Sequence, residues 1–125
     1  MKIWIGSALL GLTFLVGCFG AEAQGSQVVQ IEKPYESRFL RGIVGTRMNH
    51  GPVPGVTVDD CSPEWKQVLS ATVSDASGRF SFDRVGPGMH YLRLKAPGFN
   101  LTLVRVRVTK RSSHKYLSLE MSLGT

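Results

Sequence analysis

The sequence predicts an all-β protein, a sandwich of two layers of short antiparallel strands, and three observations lead there. Turn-forming clusters, Asp75-Ala76-Ser77-Gly78, Gly86-Pro87-Gly88 and Pro97-Gly98, punctuate the centre of the chain. Between them apolar and polar residues alternate: Phe80 and Phe82 fall on one face with Ser81 and Asp83 on the other, and Leu92 and Leu94 oppose Tyr91, Arg93 and Lys95. Beyond the N-terminal apolar run, no stretch reads as a helix of useful length. Strands with one aliphatic face cannot bury it in a lone hairpin, so a second sheet must cover it.

The elements follow in order. Met1-Lys2 is a minimal positive start, and residues 3–16 form an apolar run too short for a comfortable transmembrane span, which together read as an export signal. Two cleavage sites compete. Ala21-Glu22-Ala23 fits the small-x-small rule and gives a signal over residues 1–23, whereas Leu15-Val16-Gly17-Cys18 resembles a bacterial lipobox, giving a signal over residues 1–17 and an acylated Cys18. Residues 24–38 are polar, carry Pro34 and read as a tether ahead of a domain at 39–125, with Val28-Val29-Gln30-Ile31 able to add an edge strand.

Residues 39–46 form the first strand of that domain, Gly42 and Gly45 marking a bulge or a close backbone approach. Residues 53–60 form the next, with Val56 and Val58 on one face; Ser62-Pro63-Glu64 makes a hairpin tip beside Trp65, and residues 66–74 return. After the central stretch, residues 101–108 change register between Leu103 and Val104, which reads as a bulge or a strand switching faces. Residues 110–114 are a basic turn, and the last strand sets Leu117, Leu119, Met121 and Leu123 on one face.

At Gly42-Ile43-Val44, Pro54-Gly55-Val56-Thr57-Val58, Ser74-Asp75-Ala76-Ser77-Gly78-Arg79-Phe80-Ser81-Phe82, Pro87-Gly88-Met89-His90-Tyr91-Leu92-Arg93-Leu94 and Pro97-Gly98-Phe99, the sequence resembles the carboxypeptidase regulatory-like domain, a transthyretin-like β-sandwich. Ser74 stands for the usual Thr, one extra residue separates Gly88 from Tyr91, and Phe99 replaces the closing Tyr. The resemblance covers about residues 39–108 and implies a single seven-stranded antiparallel Greek-key sandwich, also described as immunoglobulin-like. It implies no shared catalytic residues, because such domains are mostly accessory modules.

Length and charge bound the function. Of 125 residues, roughly 100 remain after a signal is removed, one domain's worth. The net charge is +6, and Arg93, Lys95, Arg105, Arg107, Lys110, Arg111 and Lys115 lie between Asp83 and Glu120 with no acid among them. Two cysteines, with Cys18 inside the export signal, leave no intramolecular disulfide.

Candidate chemistry is sparse. Cys61 beside Asp60, with His50, His90 and His114 elsewhere, can be assembled on paper into a nucleophile and base, but no spacing fixes their geometry and a packed thiol is the simpler expectation. The histidines lack ligand spacing and Asp59 and Asp60 point to opposite faces of a strand, so neither a metal nor a cofactor is expected. Asp75 to Gly78 reads as turn chemistry, Gly86-Pro87-Gly88 has no following helix to make a phosphate loop, and the Asn100-Leu101-Thr102 sequon is incidental behind a bacterial-style signal.

The basic strip is the remaining candidate. Arg93, Lys95, Arg105 and Arg107 share one sheet face if their strands pair as a hairpin, a cationic surface for an acidic glycan, an acidic protein or lipid phosphates, with Trp65 as a second contact. A solvated face that discourages edge aggregation is the simpler role. Nucleic acid is disfavoured because the chain is exported and the strip lacks interleaved aromatics. The expected function is therefore a non-catalytic binding or structural accessory module of the bacterial cell envelope, lipid-anchored, periplasmic or secreted. The alternative is a small exported hydrolase on a transthyretin-like fold, dependent on His50, His90 or His114.

Overall fold

In the computed structural model, which describes residues 27–124, alternation resolves into nine strands. They are β1 (Val28–Gln30), β2 (Tyr35–Ser37), β3 (Arg41–Thr46), β4 (Thr57–Cys61), β5 (Val68–Val73), β6 (Arg79–Ser81), β7 (Gly88–Lys95), β8 (Leu101–Val108) and β9 (Leu117–Met121), with one 3₁₀ turn at Pro63–Trp65. No α-helix occurs among the described residues, and none there is long and apolar enough to cross a membrane. The two cleavage sites and Cys18 lie outside the described residues.

One sheet runs β1-β8-β7-β4-β5, with β2 also on β8, and the other runs β6-β3-β9. Each contributes an aliphatic face to the core: Val56, Val58, Leu92, Leu94, Val104 and Val106 from the larger, and Val44, Phe80, Leu117, Leu119 and Met121 from the smaller. A fully buried Leu or Val contributes about 1.5–3 kcal/mol, so this interface dominates the stability.

Three expectations are corrected. The sheets are mixed, because β3 and β9 pair in parallel and β8 receives both β1 and β2 in parallel. Parallel neighbours need a long crossover, and the whole excursion from β4 to β8 supplies the one between β3 and β9. Seven strands, β3 to β9, fall in the expected domain; β1 is the edge strand that Val28-Val29-Gln30-Ile31 could add, whereas β2 lies in the stretch read only as a tether. They are ordered onto β8 because Ile31 and Tyr35 pack against the core and the Ile31 amide donates to the Leu103 carbonyl at 2.9 Å.

The third correction is at β8, which has no bulge: it pairs with β7 in one register from Gly88 opposite Val108 to Leu94 opposite Thr102. Thr102, rather than Leu101 or Leu103, turns inward, and its hydroxyl is satisfied there by the Asn100 carbonyl at 3.1 Å. A threonine with a local acceptor can occupy an apolar position, which is why apolarity alone misplaced the register.

Side chains lock the turns between layers. Asp75 Oδ1 accepts the amides of Ser77 and Arg79, both at 2.9 Å, and Gly78 takes φ +78°, the turn chemistry read from the sequence. Buried Ser74 donates to the Val53 carbonyl and accepts the Val56 amide, both at 2.8 Å, closing the Pro54-Gly55 turn. Asn100 ties three segments: its Oδ1 accepts the Gln27 amide at 3.1 Å and its Nδ2 donates to Ser122 Oγ at 2.9 Å and the Leu123 carbonyl at 3.3 Å. With that amide buried, the sequon is occupied by structure.

Gly42 marks a close approach, as its position suggested. A Cβ there would lie 2.3 Å from the Leu117 carbonyl oxygen of β9. Gly42→Ala is expected to destabilise the fold by about 1–3 kcal/mol by prising β3 from β9; a denaturant midpoint equal to wild type would contradict this close packing.

Candidate functional site

The outer face of the larger sheet is built by alternation. Since Leu92, Leu94, Val104 and Val106 point into the core, Tyr91, Arg93, Lys95, Leu103, Arg105 and Arg107 point away from it. The four basic residues therefore share a face, as expected, but none stands directly opposite another across β7 and β8. Arg93 stands opposite Leu103, Arg105 opposite Tyr91, and Arg107 opposite Met89.

Two of the four cations are already engaged. Asp59, directly across from Arg93 on β4, is 3% exposed and accepts Arg93 Nε at 3.0 Å and Nη2 at 2.9 Å, with Lys95 Nζ 3.4 Å from the same oxygen. A buried carboxylate requires such partners, since desolvation without them costs several kcal/mol. Asp59 is thus the anchor of the face.

Arg105 and Arg107 are placed differently. Arg105 Nη2 donates to the Glu32 carbonyl, while its buried Nε has no protein partner. Arg107 is exposed, with exposed Glu36 of β2 across from it. The face thus carries four cations against two carboxylates, Asp59 and Glu36.

Trp65 is not a free tip. Its Nε1–H donates to the Leu92 carbonyl at 2.9 Å and its ring meets Tyr91 edge to face, with centroids 5.2 Å apart. Both Glu64 (φ 60°) and Trp65 (φ 55°) adopt left-handed backbone, which folds the turn back over β7. Cys61 faces the same way as Tyr91 opposite it and is 3% exposed; burial pushes its thiol pKa up, the reverse of what a nucleophile needs.

The histidines are dispersed. His50 Nδ1 lies 3.2 Å from Glu120 on the surface, and His114 lends its backbone carbonyl to the Arg38 amide at 2.7 Å. His90 is built in: its Nδ1 faces the Asp60 carboxylate at 3.2 and 3.3 Å and its Nε2 faces the Gly86 carbonyl at 2.8 Å. With acceptors at both nitrogens, the doubly protonated ring fits best. The Asp60 hydrogen bond, aided by Gly86 and the Asp60 charge, raises the His90 pKa against an opposing effect of burial. Asp59 and Asp60 do face opposite sides of β4, one paired with Arg93 and the other with His90.

No group of three or more potential ligands that could hold a metal ion occurs among the described residues. Sequence reasoning missed a second cationic surface, Arg41 and Arg79. These residues lie on β3 and β6, which pair with Ile43 opposite Arg79. Their separation in the chain hides that proximity. No protein-family model matches the chain, and no curated protein matches it.

The His90 clamp has a pH signature. Because the folded pKa is raised above the unfolded value of about 6.5, its stabilisation is complete below that pH and is lost as pH rises through the folded pKa. The difference in melting temperature between wild type and His90→Gln should therefore be largest in mild acid and shrink on going alkaline; a difference constant with pH would remove the clamp.

Proposed function

We propose that the chain is a non-catalytic accessory module of the bacterial cell envelope, contacting an acidic glycan or protein through the outer face of its larger sheet. The observation that carries this reading is the imbalance on that face: Asp59 satisfies Arg93 and Lys95, and Arg105 and Arg107 remain for a partner. Buried Cys61 and the separate engagements of His50 and His90 support a non-catalytic role.

The fold assignment that goes with it is a seven-stranded Greek-key sandwich of the carboxypeptidase regulatory-like, transthyretin-like kind formed by β3 to β9. It rests on the Asp75 turn, the Ser74-locked Pro54-Gly55 turn and the β7 strand that follows Gly86-Pro87-Gly88, all at the positions of the sequence pattern. β1 and β2 are then additions that widen the larger sheet.

Two experiments test this. Arg105→Glu with Arg107→Glu should weaken binding to isolated envelope about a hundredfold at low salt and far less at high salt, as charge on an outer sheet face acts through a screened field. A spacer would show no change. For the anchor, the mass of the mature N-terminus from envelope fractions should carry an acyl adduct on Cys18 that Cys18→Ala abolishes; a free Gln24 terminus would make the module a soluble exported protein.

A further inference from the structure

Among the described residues, the larger sheet ends at β5 with nothing paired to its far side. Just past β5, Ser74 directs its amide to the Val56 carbonyl at 2.9 Å, so by antiparallel alternation Thr72 also faces β4 while Ala71 and Val73 turn their amides and carbonyls to the open edge. Residues 68–73 contain no charge and no proline, the usual protections of an edge strand. Leu69 is 66% and Val73 59% exposed. The irregular pairing at Asp60/Cys61 leaves residues 70–73 as the regular stretch.

Beside this edge runs a groove of about 660 Å³, walled by Thr72 and Val73 and lined across from them by Arg41, Arg79 and Tyr116. Arg41 is positioned by its neighbours: its guanidinium lies 4.5 Å from the Phe39 ring centroid and Nε donates to the Lys115 carbonyl at 3.4 Å. Neither Arg41 nor Arg79 has an ion pair among the described residues. The groove's carboxylate, Asp75, has one oxygen committed to two backbone amides. Tyr116, 63% exposed, offers a ring for an apolar side chain.

Open main-chain groups and guanidinium groups without an ion pair border the same groove, and one occupant uses both. We propose that this edge binds an extended acidic peptide segment, which adds as a strand to β5 and directs carboxylates at Arg79 and Arg41. A neutral strand supplies backbone hydrogen bonds without sequence preference, and the arginines select acidic side chains at alternate positions. The site is separate from the sheet face carrying Arg105 and Arg107, so either can fail alone.

The probe is a fluorescently labelled, end-blocked peptide of alternating Glu and Val, titrated by anisotropy against the purified full chain as cells produce it. A Lys-Val peptide and a polyuronate are the controls. Arg79→Gln should weaken the Glu-Val peptide about tenfold, the loss of one charge-assisted contact. Val73→Pro removes an amide from the open edge without touching the ladder to β4 and should reduce binding at least as much, with the melting temperature of each variant certifying its fold. Lys-Val binding of equal strength overturns the proposal, as does Glu-Val binding indifferent to Val73→Pro. Full competition by the polyuronate would assign the groove to a glycan instead. A dimer in sedimentation that Val73→Pro dissolves would assign the edge to a second copy and likewise overturn it.

Discussion

The parallel pairing of β3 with β9 is the constraint on which the rest depends. It joins the first and last strands of the expected domain over five residue pairs, Gly42 with Leu117 through Thr46 with Met121, and these place Val44, Leu117, Leu119 and Met121 in the core. The smaller sheet has three strands, and this pair is its spine, with β6 contributing three residues at one side. Everything from β4 to β8 is in effect one loop closed by that contact. Non-local pairing of this kind is entropically expensive to form, and the packing beneath must compensate for it. The missing side chain at Gly42 is what lets the two backbones come together closely enough for that packing.

The outer face of the larger sheet shows how a mixed environment decides which charges are structural. Asp59 sits on a central strand, flanked by β5 and β7, where its carboxylate is removed from water on both sides. A neutral residue there would leave Arg93 without an acceptor, and a carboxylate alone would be unaffordable. Together, with Lys95 added, they make a closed set. Arg105, on β8, meets only backbone, and Arg107 has no ion pair among the described residues, although exposed Glu36 stands across from it. Proximity to the buried carboxylate on β4 separates Arg93 and Lys95 from Arg105 and Arg107 on the other side of β7.

Alternation along single strands was legible in the sequence: the inward Leu92 and Leu94, the Phe80 strand, the last strand through Met121 and the Asp75 turn all stand where apolar periodicity and turn residues placed them. What was not legible depends on pairings between distant segments. Cross-strand register puts Asp59 against Arg93, 34 positions away, and Gln27 on Asn100, 73 positions away. Neither relation leaves a trace in local composition. Thr102 fails for a related reason, since a hydroxyl reads as polar until its acceptor is known. β2, inside the stretch read as a tether, was not legible because a short polar segment can become a strand when an existing edge supplies half of every hydrogen bond, as β8 does here.

That last point bears on the two edges of the larger sheet, which are treated unequally. At β8 the chain lays down its own strands twice, burying Ser37 and drawing Tyr35 toward the core. At β5 none of the described residues adds a strand, although three of the six residues there are exposed large apolar side chains. The smaller sheet is too narrow to cover β5, so the strand is held chiefly by β4 and by the Ser74 lock. An edge under pressure only to avoid aggregation would carry lysine, proline or an inward charge. β5 carries none of these and is limited only by the irregularity near Leu69, which shortens the flat stretch to about four residues. A stretch that short pairs weakly on its own, through two residues' worth of open backbone groups. Binding there must draw further affinity from side chains beyond the strand, and in that groove the guanidinium groups of Arg41 and Arg79 supply charge while the Tyr116 ring supplies apolar surface.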